Sequence, residues 1–256
     1  LGGYDAVVFD HQTRSDISLT LALRVGESGI RYRATVGQNN GVFELDFEIP
    51  KLLIGNLELP VSFPYPANQQ VQDSLTVGPH ALAITWNGIA AQVQSGGETP
   101  DLLEQARTLA RLLNEPIEVL RKVTVVPLKR GFSKPYYQSA PVSPMLITED
   151  ELATFLSTDK YLVSKLSFYL EEILGRDFRG NFQPGTGIFS LDATGKRTGV
   201  ACELVNDGFG VNQLVSLLAR ALQRDTDWVC VEEPEIHLHP TAVRLVARAL
   251  ARMVRE

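Results

Sequence analysis

Two adjacent carboxylates, Glu232 and Glu233, close the apolar run Trp228-Val229-Cys230-Val231 and are followed at once by Pro234. A run of this kind reads as a buried strand, and its C-terminal end is where open α/β sheets place their ligands. Hydrated Mg²⁺ is the partner such a pair suits, because hard carboxylate oxygens hold that ion, often through water. Upstream, Val205-Asn206-Asp207-Gly208-Phe209-Gly210 forms a polar, glycine-bearing turn before Leu214, Leu217, Leu218, Ala221 and Leu222 at helical spacing. Unpaired N–H groups at such a helix start, with the positive end of the helix dipole, favour phosphate. Beyond the acid pair, Glu235, His237 and His239 alternate in a pattern that also suits Zn²⁺, which opens a metal-dependent hydrolase reading through Glu232, Glu233 and these three residues.

The rest of the chain must supply the elements that hold these groups. From Val7 to about residue 93 the sequence alternates apolar and polar, as in Ile17-Ser18-Leu19-Thr20-Leu21 and Val42-Phe43-Glu44-Leu45-Asp46-Phe47, which predicts antiparallel strands with one wet face. Gly26-Glu27-Ser28-Gly29 and Gly37-Gln38-Asn39-Asn40-Gly41 supply turns, and residues 60–100 predict weaker strands and loops. Thr99-Pro100 predicts a helix start, Leu102, Leu103, Ala106, Leu109, Ala110 and Leu113 its stripe, and Asn114-Glu115-Pro116 its end. Val123-Thr124-Val125-Val126-Pro127-Leu128 predicts a short, fully apolar strand that leads into Lys129-Arg130-Gly131. Thr148-Glu149-Asp150-Glu151 fits a capping box for helical sequence that runs to Gly175, with a break at Ser157-Thr158-Asp159. Residues 178–204 predict strands, with a hairpin turn at 192–196, and Pro240 opens a last helix whose Arg244, Arg248 and Arg252 form a basic stripe. That stripe is either a solvated face or a contact for DNA or a partner subunit.

With 256 residues, 44% of them hydrophobic, the chain can bury a sizeable core. A net charge of −6 argues against coating nucleic acid by bulk electrostatics. Cys202 and Cys230 lack metal-ligand spacing and suit a reducing compartment. With no membrane-spanning run and no signal segment in view, a soluble cytoplasmic protein is expected, in three segments: a β-rich antiparallel lobe at 1–98, a connecting region at 99–200 and a functional lobe at 201–256.

Taken together and in this order, the glycine turn and the acid pair resemble the signature motif and Walker B of an ABC-type ATPase head, nearest to the SMC-like and OLD-like branch of AAA ATPases. The resemblance is tight over about residues 200–250 and implies an α/β fold, part of a P-loop NTPase, with a β-rich N-terminal lobe. It implies ATP and Mg²⁺ as cofactors, with Glu232 at the metal position and Glu233 orienting or deprotonating the attacking water. Glutamate at 232 departs from the usual aspartate by one methylene. Asn206, Asp207 and Gly208 match the signature segment that faces the γ-phosphate held by the opposite subunit, with Asn206 in place of serine. Glu235, His237 and His239 match the D-loop at the dimer contact, and Arg130 matches a phosphate or inter-subunit contact. The implied assembly is a homodimer around ATP, driving a nuclease or other effector in DNA repair or defence.

No segment carries G-x-x-x-x-G-K-S/T; Gly185-Thr186-Gly187 and Thr194-Gly195-Lys196 fail on spacing. The switch histidine of the family is also missing from the sequence. The expectation is therefore the middle of a head, with Leu1 following the P-loop helix, and negligible hydrolysis by these residues alone. The rival is a degenerate, non-catalytic scaffold for a partner nuclease.

Overall fold

The computed structural model describes residues 14–50, 52–65, 71–77, 82–94, 100–143, 148–224 and 226–253. The start of the alternating pattern at Val7, the Thr99 cap and the C-terminal 254–256 lie outside them. The architecture is mixed α/β, in two compact units, Leu1–Arg121 and Lys122–Glu256.

In the first unit β1 (Ile17–Val25), β2 (Ser28–Val36), β3 (Asn40–Ile49) and β4 (Leu53–Ser62) form an antiparallel meander. Its alternation sorts the faces: Ile30, Tyr32, Leu45, Phe47, Leu57 and Leu59 are buried, while Arg33 meets Glu44 at 3.2 Å on the wet side. A second antiparallel sheet, β5 (Asp73–Val77), β6 (Leu82–Trp86) and β7 (Ala91–Gln94), adds Ile84 and Trp86 to the same core.

The helix α1 (Pro100–Arg121) closes that core with Ala106, Leu109 and Leu113. It runs through Pro116 instead of ending there. A proline inside a helix costs ~3 kcal/mol. Here Pro116 is itself buried, and Ile117 and Leu120 beyond it pack on the core, so burial of the extra turn offsets the lost bond. Asn114 also pins the helix to β7, accepting from the Ala91 N–H at 2.6 Å and donating to its carbonyl at 3.1 Å.

The second unit contains β8 (Val123–Val126), β9 (Tyr137–Gln138), α2 (Glu149–Thr158), α3 (Lys160–Leu174), β10 (Arg176–Phe182), β11 (Ile188–Gly195), β12 (Ala201–Glu203), α4 (Phe209–Ala221), β13 (Trp228–Val231) and α5 (Pro240–Met253). The capping box forms: Thr148 Oγ1 accepts from the Glu151 N–H while the Glu151 carboxylate accepts from the Thr148 N–H. Asp159 ends α2 and caps α3, and Gly175, with φ 66°, ends α3. Strand β11 continues to Gly195, so the hairpin turn falls at 196–199, later than the sequence suggested.

Strands β8 and β13 pair in parallel, Val123 opposite Trp228 and Val126 opposite Val231. The sequence reading of β13 as a buried strand holds for only one of its faces. Val126, Val229 and Val231 join the core that α4 and α5 complete, whereas Val125, Trp228 and Cys230 are exposed, Trp228 to 62%. Parallel strands are buried on both sides only where both faces are covered, and among the described residues this sheet has two strands. Also among the described residues, no helix is long and apolar enough to cross a membrane.

Candidate functional site

The parallel pairing sets the site. Because β8 and β13 run in the same direction, their C-terminal ends release the loop 127–133 and the acidic turn 232–239 side by side. The ladder extends by one bond, Glu232 N–H to the Val126 carbonyl at 3.1 Å, after which the Glu232 side chain turns back and accepts from the Leu128 N–H at 2.8 Å. Arg130 lies across the same turn. One guanidinium nitrogen donates to the Glu232 carbonyl at 2.7 Å and the Pro127 carbonyl at 3.1 Å, and the other donates to the Glu233 carbonyl at 2.9 Å. Partial burial lowers the Arg130 pKa from its ordinary value, while the charges of Glu235, Glu232 and Glu233 oppose that shift.

Glu233 has φ 41°. A left-handed backbone at a residue other than glycine costs ~1–3 kcal/mol and persists only where its surroundings hold it. The surroundings here are the Arg130 bonds to the carbonyls of 232 and 233, and a turn closed by Ile236 N–H to the Glu233 carbonyl at 3.2 Å and Leu238 N–H to the Glu235 carbonyl at 3.1 Å. The side chains of Glu232, Glu233 and Glu235 are exposed.

The start of α4 packs on that turn. Gly208 precedes the helix with φ 93°, a conformation reserved for glycine, and α4 has no side-chain cap. Gly210 lies so close to the turn that a Cβ there would sit 2.7 Å from the His237 carbonyl oxygen. The exposed Phe209 ring meets the His237 ring with centroids 5.5 Å apart.

Within α4, Asn212 is buried and grips the loop from behind, accepting from the Phe132 N–H at 2.6 Å and donating to its carbonyl at 2.8 Å. Gly131 makes room for it: a Cβ there would lie 2.6 Å from Asn212 Oδ1. Sequence reading missed this tie; its signal was an amide, Asn212, on the side of the helix that buries its apolar residues. The same reading offered Arg130 as a phosphate or inter-subunit contact; within this chain the guanidinium donates to the Glu232 and Glu233 carbonyls.

Other candidate residues lie less directly at the turn. Asp207 is folded inward, its side chain 7% exposed and paired with Arg176 at 2.8 Å; burial raises its pKa and Arg176 lowers it. Asn206 donates to Glu203 at 3.3 Å. His239 works as a cap for α5, its Nδ1 accepting from the Thr241 N–H at 3.3 Å. The alternating glutamate and histidines therefore diverge, and among the described residues no three His, Cys, Asp or Glu side chains are arranged to hold a metal ion directly. On α5, Arg252 is held by both carboxylate oxygens of Glu172, at 2.9 and 3.0 Å, while Arg244 and Arg248 are exposed.

A parallel strand ending in a carboxylate pair beside the glycine-flanked start of a helix is an arrangement that suits nucleotide chemistry. A family described as "AAA domain, putative AbiEii toxin, Type IV TA system" matches residues 102–256. The chain belongs to this AAA family. Its matched region begins within α1 and includes the whole acidic turn, the loop bearing Arg130 and α4. No curated protein matches this AAA chain.

Proposed function

We propose that this chain is the signature and Walker B part of an ABC-type AAA head, of the SMC-like and OLD-like kind, that binds and hydrolyses ATP. The observation that carries the reading is the packing of the 208–210 turn directly on the turn that bears Glu232 and Glu233. Membership of the AAA family supports the nucleotide.

The residues fit a hydrated Mg²⁺. Glu232 is exposed with one oxygen held by the Leu128 N–H, which fixes the carboxylate and leaves the other oxygen for a metal-bound water. The ion would supply charge neutralisation at the phosphates. Glu233, set by its left-handed backbone, orients the attacking water and accepts its proton. The start of α4, with Asn206 and Gly208, faces the γ-phosphate of nucleotide held by a second copy, and Glu235 and His237 line that dimer contact.

The family description names a putative toxin of a type IV toxin–antitoxin system; a role in DNA repair or defence, with a nuclease or other effector as the output, is part of the same proposal. The scaffold alternative draws on one sequence fact: none of these 256 residues forms a G-x-x-x-x-G-K-S/T motif.

The test is ATP binding and hydrolysis by the full-length polypeptide beside its Glu233→Gln variant. Hydrolysis that collapses in the variant while binding persists supports the ATPase reading and the role of Glu233. A full-length protein that neither binds nor hydrolyses ATP leaves the scaffold reading in its place.

A further inference from the structure

We infer that Arg130 is a positioning residue for Glu233, and that Asn212 of α4 holds Arg130 in register; this rests on the ATPase reading above. Three observations carry the inference. The Arg130 fork bonds the Glu232 and Glu233 carbonyls, at 2.7 and 2.9 Å, so the guanidinium fixes the orientation of the two peptides that flank the Glu233 Cα. Glu233 needs such a restraint, because its φ of 41° is not one that glutamate adopts unaided. The loop carrying Arg130 is in turn fixed to α4 by the two Asn212 bonds to Phe132.

A continuous set of bonds therefore runs from the α4 helix through Phe132 and Arg130 to the acid turn. Planarity matters at its centre. Two carbonyls held by two nitrogens of one rigid fork cannot both be held in that geometry by the single ammonium of lysine. Both terminal nitrogens already donate within the turn, so this role needs no phosphate contact.

Steady-state hydrolysis and ATP affinity of the full-length protein, measured for wild type, Arg130→Lys, Glu233→Gln and the double variant, test the inference. A carboxylate displaced by a fraction of an ångström costs rate more than binding, so kcat in Arg130→Lys should fall roughly 10- to 100-fold with the ATP Kd nearly unchanged. Because Arg130 acts through Glu233, adding Arg130→Lys to Glu233→Gln should cost no further rate. Asn212→Gln leaves Arg130 in place but loosens its loop, and should reproduce a smaller kcat loss even if the arginine variants fold poorly. An Arg130→Lys enzyme with normal kcat, with losses that add to those of Glu233→Gln, or with a loss in ATP Kd instead of kcat, overturns the inference while leaving the ATPase reading intact. Absence of hydrolysis in the wild type defeats the ATPase reading, and the inference with it.

Discussion

At the scale of single residues, Gly210 decides how closely the helix and the acid turn approach. It lies within the first turn of α4, where alanine is the better helix former by ~1 kcal/mol, so propensity alone favours Gly210→Ala. Against that stands a Cβ 2.7 Å from the His237 carbonyl, a backbone atom that cannot swing aside as a side-chain tip would. Overpacking of this kind costs ~1–3 kcal/mol, more than the propensity gain. Gly210→Ala should therefore lower the urea midpoint of the protein, and hydrolysis by the parent should fall with it as the 237 turn moves. A raised midpoint would mean that the two segments are not in firm contact. The other glycine of this turn, Gly208, is fixed by its φ of 93° instead of by a neighbour, since a Cβ there meets no atom within 4 Å.

At the scale of elements, the capping box of α2 gives a pH dependence. The Glu151 carboxylate is held down to about 2 from an ordinary 4.5, chiefly by the Thr148 N–H, with Ser143 adding to it. A carboxylate whose folded pKa is depressed stabilises the fold fully above its unfolded value and loses that contribution as pH falls through the folded one. The melting-temperature gap between wild type and Glu151→Gln should therefore be constant above pH about 4.5 and close as pH falls toward 2; a gap that ignores pH would remove the charge from the account.

This cap, the Asp159 break and the Gly175 stop were legible in the sequence because each is decided within a few residues of chain. The end of α1 was not, since what carries the helix past Pro116 is burial of Ile117 and Leu120 against distant strands. Likewise the period of Trp228-Val229-Cys230-Val231 cannot say how many faces are covered; only the sheet does. The site divides the same way. Its carboxylates and glycines were legible by type and order, whereas the inward turn of Asp207 to Arg176 and the grip of Arg130 on two carbonyls depend on neighbours far along the chain.

At the scale of the whole molecule, the proposed assembly makes a prediction that a self-contained site does not. If two copies related by a twofold axis enclose each nucleotide, every site takes Glu233 from one copy and Gly208 from the other. Glu233→Gln protein and Gly208→Glu protein, each inactive alone, should then recover hydrolysis when mixed. In the mixed dimer one site collects both defects and the other collects neither, so one site of two is whole. Random exchange makes about half of the dimers mixed, and the recovered rate should approach about a quarter of wild type. The recovered rate also confirms that both variants fold, because an unfolded partner could not complete a site. If each copy carried its own Glu233 and Gly208 to the same nucleotide, mixing would recover nothing. The contact of Gly210 with the His237 carbonyl joins the two groups within one chain, as parts of one surface. A second copy of that surface is what would turn a helix start toward a carboxylate.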